Sequence, residues 1–268
     1  MLHHQGKEET PEERETTAER DKLRKHAMAN RVMLDNVAHQ DLRVAPRHGP
    51  EFGDSVNQVI VFPTEYADVQ REYPILFRKD SNGDYVSIAI LGLDKDENLF
   101  LEGEEWRARY VPAIQARGPF LIGLAKENAV DSSGDPKINI DLDDPRVSET
   151  QGEALFLPHG GNAPYLERMA HTLNILYDGV ALSKRMFAAF DAAQLIEPVT
   201  IEISLREGAK YAISDCYAIS RERLASLDGA TLETLNKDGF LHLAFLAISS
   251  LGNMSRLIDM KERRRAQG

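Results

Sequence analysis

The chain has 268 residues, 42% hydrophobic and 28% charged, enough apolar side chains for one large core or two modest ones. A formal net charge of −11 argues against a nucleic-acid partner, which is held through clustered Lys and Arg. One cysteine, Cys216, rules out an intramolecular disulfide and a multi-cysteine zinc site, and a reducing, cytoplasmic setting is expected.

Residues 1–27 hold thirteen charged side chains and no aromatic, and are read as a disordered charged extension without a signal-peptide core. Patterned sequence runs over 28–265. From Met28 to about Leu157 short apolar runs alternate with turn residues, which predicts strands in irregular, mainly antiparallel arrangement. "VNQVIVFP", "EYPILFRKDSNGDYVSIAILGL" and "GPFLIGLA" are the clearest, the second a hairpin that turns at Asp80 to Asp84. "NAVDSSGDPKINIDL" predicts another turn of the same kind. Beyond "LFLPHGGNAPYLERM" the period becomes helical. Leu166, Met169, Ala170, Leu173, Leu176, Tyr177 and Val180 predict one helix with an apolar face, capped by Asn162 with Pro164 in its first turn. A second helix is predicted from Ser183 through Met186, Phe187 and Phe190. "VTIEISL", "REGAK" and "YAISDCYAIS" predict a second hairpin with one buried face. Helices follow to the end, with Leu224, Leu227, Leu232, Leu235, Leu251 and Leu257 as core positions and Gly239 as a stop. The apolar run 240–251 falls short of the roughly 20 residues that span a bilayer, so no transmembrane segment is expected. The expected fold is a single α+β domain, an irregular β half packed with a helical half that contains a β-hairpin.

Three stretches have residue types that carry chemistry. His159, Gly160, Gly161 and Asn162 stand at a strand-to-helix junction, where free backbone N–H groups bind anions, with Arg109, Arg117 and Arg146 as further anion partners. No Gly-x-Ser-x-Gly elbow accompanies them, and a plain glycine turn outweighs the ligand reading. His39 and Asp41 have the spacing of the His-x-Asp half of a non-haem iron site if they lie on a strand, with His159, His171 or His242 as a third ligand. Asp94, Asp96, Asn98, Glu102 and Glu105 fit EF-hand offsets, but Leu99 stands where the sharp turn needs Gly, so an acidic turn between apolar segments is the better account. Asp141, Asp143 and Asp144 read as a carboxylate-capped turn, and Cys216 as a small core hydrophobe. Phosphate-binding glycine loops are absent from the sequence.

The blocks "LDNVAHQDLRV", "HGPEFGD", "FPTEYADVQREYPILFRKD", "NLFLEGEEWRARYVPAIQARGPFLIG", "IDLDDPRVSETQGEALFLPHGGNAPYLE" and "LASLDGATLETLNKDGFLHLAFLAISSLGNMSRLIDMK" together resemble the bacterial SapC family, from about Met28 to about Lys261. The resemblance implies a link to surface layers or to outer-membrane uptake systems, and assigns no catalytic residues or cofactor. The permease label attached to some relatives conflicts with a chain expected to have no spanning helix. The leading expectation is a soluble, non-enzymatic accessory or binding protein for a small molecule or a partner protein. The alternatives are a metal-dependent oxygenase or hydrolase built on His39 and Asp41, and a surface-layer subunit.

Overall fold

The computed structural model describes residues 30–123, 137–206 and 208–267. The predicted charged extension and the "NAVDSSGDPK" turn therefore lie largely outside the described residues.

The chain opens with β1 (Arg31–Met33) and β2 (Arg43–Val44), then β3 (Gln58–Val61), a 3-10 turn at Pro63–Glu65 and the single-turn α1 (Tyr66–Val69). A hairpin follows, β4 (Ile75–Lys79) and β5 (Tyr85–Ile90). Its turn forms because the Asp80 carboxylate accepts the backbone N–H groups of Asn82 (2.8 Å) and Asp84 (3.0 Å), while Gly83 takes φ +87°, a conformation that favours glycine. The short β6 (Leu101–Glu102) and β7 (Glu105–Trp106), α2 (Ala113–Ala116), β8 (Phe120–Ile122), β9 (Ile138–Asp141), β10 (Val147–Ser148) and β11 (Glu153–Ala154) complete the irregular half. Then come α3 (Pro164–Ala192), the hairpin β12 (Ile196–Ser204) and β13 (Lys210–Ile219), and four helices: α4 (Arg221–Ala225), α5 (Gly229–Lys237), α6 (Phe240–Ser250) and α7 (Met254–Gln267). The class is α+β, as expected.

The main sheet has five antiparallel strands in the order β12-β13-β4-β5-β3, so each hairpin legible in the sequence supplies two neighbours. A bulge in the second hairpin sets Ser214 and Asp215 opposite Thr200, with Asp215 at φ +54°. Around this sheet lies the larger core, with Phe77, Ile88, Met186, Phe187, Phe190, Ala244 and Leu257 all buried. A smaller core gathers Val44, Phe120, Ile140, Leu155, Leu166 and Leu173 under the sheets β1-β9-β8 and β10-β2-β11. Each Phe or Leu buried in either contributes about 1.5–3 kcal/mol.

Two expectations change. The predicted pair of helices is one helix of 29 residues, α3, because its first part packs in the smaller core and its last part in the larger one, and the stretch between continues unbroken. Its N-cap is Ala163, with no side-chain bond, whereas Pro164 does occupy the first turn. At the C-terminal end, helical structure continues well beyond the apolar run 240–251. Helices α6 and α7 join through a 3-10 turn at Leu251–Asn253, and the run Phe240–Gln267 is the one helix among the described residues long and apolar enough, by length and composition, to cross a membrane. Here it packs Phe240, Ala244, Ala247 and Leu257 into the larger core. Gly239 precedes it at φ +78°, ending α5 as expected of a stop.

Candidate binding groove

Helix α3 positions the candidate site. Leu166, Met169, Leu173 and Leu176 are buried as predicted, but Tyr177 and Val180, predicted on the same face, are 46% and 52% exposed. The cause is a close approach at Gly179. A Cβ there would stand 2.5 Å from the Cβ of Phe62, and Thr64 Oγ1 donates to the Ile175 carbonyl (2.8 Å), so the Pro63–Glu65 turn docks directly on the helix backbone. This docking turns Tyr177 and Val180 outward. Glu65 fixes that turn in place: its carboxylate accepts the N–H groups of Phe62 (2.9 Å) and Ala113 (2.9 Å) and the hydroxyl of Tyr110 (2.7 Å). Burial pushes the Glu65 carboxyl above the usual carboxylate range, against these hydrogen bonds.

Grooves flank the exposed stretch on two sides. One, with a cavity volume of about 780 Å³, is lined by Ile122, Leu176, Tyr177, Val180, Ala181 and Leu182, and reaches Asp178, Lys184 and Arg185. The other, about 680 Å³, lies between α3 and the β4–β5 turn, shares Val180 and Lys184, and adds Ile60, Phe187, Lys79 and three acids, Asp80, Asp84 and Asp191. Both volumes fall within the range that holds small molecules. Lys79 stands over the rings of Tyr85 (5.1 Å) and Tyr217 (5.7 Å).

The predicted anion site is a tight reversal of the chain. Gly160 and Gly161 adopt φ +88° and +89°, the Gly160 N–H donates to the Leu157 carbonyl (3.0 Å), and Leu157 N–H donates to Gly161 (3.0 Å). Asn162 bridges Phe156 rather than capping α3, and His159 is exposed. Asn162 lines a third groove, about 560 Å³, with Met33, Phe156, Leu166 and His171, and neither Arg109 nor Arg117 lines it. Arg109 is exposed and its backbone N–H donates to Glu72 (2.7 Å). Arg117 donates to the Phe120 carbonyl (2.8 Å), and burial, then the neighbouring Arg31 and Arg146, lower its pKa. Arg146 is committed to a bidentate pair with Asp144 (2.9 and 2.7 Å).

His39 and Asp41 lie in a turn and not on a strand, so the same-side geometry assumed for them does not arise. His39 Nδ1 instead accepts the Asp35 N–H (3.0 Å). Among the described residues, no group of three or more His, Cys, Asp and Glu side chains is placed to hold a metal ion. The EF-hand-like acids diverge: Asp94 accepts Lys261 Nζ, which also pairs with the neighbouring Glu97, whereas Glu102 and Glu105 pair with Arg107. Cys216 is buried, with Arg78 Nε donating to its sulfur (3.4 Å). One polar cluster escaped sequence reasoning. His48 Nδ1 lies 3.1 Å from the buried Asp54 carboxylate, which also accepts the Gly49 N–H (2.9 Å) and Gln115 Nε2 (3.1 Å), and the His48 ring meets Trp106 edge-on. These partners come from a loop, a short strand and a single helical turn at irregular spacing, which leaves no periodic signal.

The architecture defines an α+β protein whose long central helix carries an apolar groove. Residues 34–257 match the SapC family model, and the chain belongs to the SapC family. No curated protein and no solved structure matches it.

Proposed function

We propose that the protein is a soluble, cytoplasmic accessory protein that binds an apolar ligand in the groove along α3. The observation that carries this reading is the outward-facing Tyr177 and Val180 on a helix whose two ends are buried in separate cores. An apolar strip of this kind, edged by charge, is the usual lining of a small-molecule site. The ion pairs of Lys261 with Asp94 and Glu97 hold the helical stretch 240–267 against the fold, which favours a packed role for it over a membrane span. The oxygenase reading of His39 and Asp41 gains no third ligand among the described residues and is not adopted.

The test is titration with the neutral fluorescent probe N-phenyl-1-naphthylamine. Saturable binding near one per chain, weakened at least ten-fold by Val180→Asp with the fold intact by circular dichroism, is expected. Binding that ignores this substitution removes the groove from consideration. Cell fractionation that recovers the protein outside the cytoplasm would favour the surface-layer alternative.

A further inference from the structure

We infer that the groove's ligand is a free single-chain amphiphile with an anionic head, its chain along Ile122, Leu176, Tyr177 and Val180 and its head at Lys184 and Arg185. This rests on the binding reading above. Tyr177, Val180 and Lys184 follow at i, i+3 and i+7, so they form one stripe on α3, apolar, apolar and then cationic. A tail lying on the first two places its head at the third.

The charges around the groove decide the sign of that head. Lys184 has no carboxylate partner among the described residues, and Arg185 stands over the Phe240 ring (5.8 Å) instead of in an ion pair. Both cations at this end therefore stand outside any ion pair among the described residues. The acid of this groove, Asp178, lies six residues before Lys184, about 9 Å along the helix axis. On the other side of α3, Asp80, Asp84 and Asp191 outnumber Lys79 and Lys184, so an anion is directed to the Arg185 side. The chain's net charge of −11 does not override this, because at physiological salt charges beyond about 8 Å are largely screened.

Isothermal titration of the full chain with dodecanoate and with dodecyltrimethylammonium, both below their micelle concentrations, tests the inference. Dodecanoate is expected to bind near 1:1 and at least ten-fold tighter than the cationic amphiphile. The double variant Lys184→Glu/Arg185→Glu should weaken dodecanoate at least ten-fold more than it weakens N-phenyl-1-naphthylamine. Equal affinity of the unmodified chain for the two amphiphiles, or a double variant that weakens dodecanoate no more than the neutral probe, overturns the anionic head and leaves the binding reading standing. Binding of neither amphiphile nor probe overturns both. Affinity only for vesicles containing phosphatidylglycerol overturns the free ligand in favour of a membrane surface.

Discussion

The two ends of α3 and its middle obey different constraints. At the N-terminal end Leu166 and Leu173 fill the smaller core, and at the C-terminal end Met186, Phe187 and Phe190 fill the larger one. Between them the helix meets the Phe62–Thr64 segment through backbone contact at Gly179, and Tyr177 and Val180 face outward. A helix anchored at both ends keeps its continuity while part of its centre stays open to solvent.

The sharpest way to break this contrast is truncation at the ends. Phe190→Ala is expected to cost about 3–5 kcal/mol and Leu173→Ala about 2–5 kcal/mol in denaturant unfolding, since both side chains are buried and leave cavities. If either costs under about 1 kcal/mol, the ends are not the anchors. Next comes Gly179→Ala, where helix propensity favours the change by about 1 kcal/mol. The clash with Phe62 opposes it, and a net loss of about 1–3 kcal/mol is expected from the forced displacement. A stabilised variant would contradict the close approach.

Glu65 offers a pH-dependent version of the same test, because it holds the turn that docks at Gly179. Its folded pKa is raised above the ordinary 4.5, so its stabilising contribution is complete below about that pH and is lost as pH rises through the folded value. Urea midpoints should fall across this weakly acidic window, and Glu65→Gln should flatten the fall; a variant that tracks the parent at every pH refutes the assignment. The smallest effect belongs to the middle of the helix. Val180→Ser should change stability by no more than about 0.5 kcal/mol, and a larger loss measured by thermal melting would mean the residue is structural.

The features legible in the sequence were the local ones. Asp80 and Gly83 specify their hairpin within five residues, and the alternation of Val199, Ile201 and Ile203 announces the inward face of β12. The HGGN stretch was legible as a turn for the same reason, and its glycines do take positive φ. What could not be read depends on partners far along the chain. Tyr177 and Val180 fit a buried face by period, and only the Phe62–Thr64 segment, more than 100 residues earlier, turns them outward. The groove is the product of that displacement, so the candidate site was invisible even though Leu176, Tyr177 and Val180 had been placed on a helix. The His48–Asp54 contact, between loop residues, left no pattern either.

The attachment of α7 has a consequence for how the protein is made. Its Lys261 neutralises Asp94 and Glu97, and Arg264 donates to the carbonyls of Asn98 (2.9 Å) and Leu101 (3.0 Å), across separations of 163 to 167 residues. At roughly 5–20 residues per second of synthesis, the 94–101 segment waits on the order of ten to thirty seconds for these cations. During that interval the carboxylates of Asp94 and Glu97 and the carbonyls of Asn98 and Leu101 lack the cations that hold them in the finished fold.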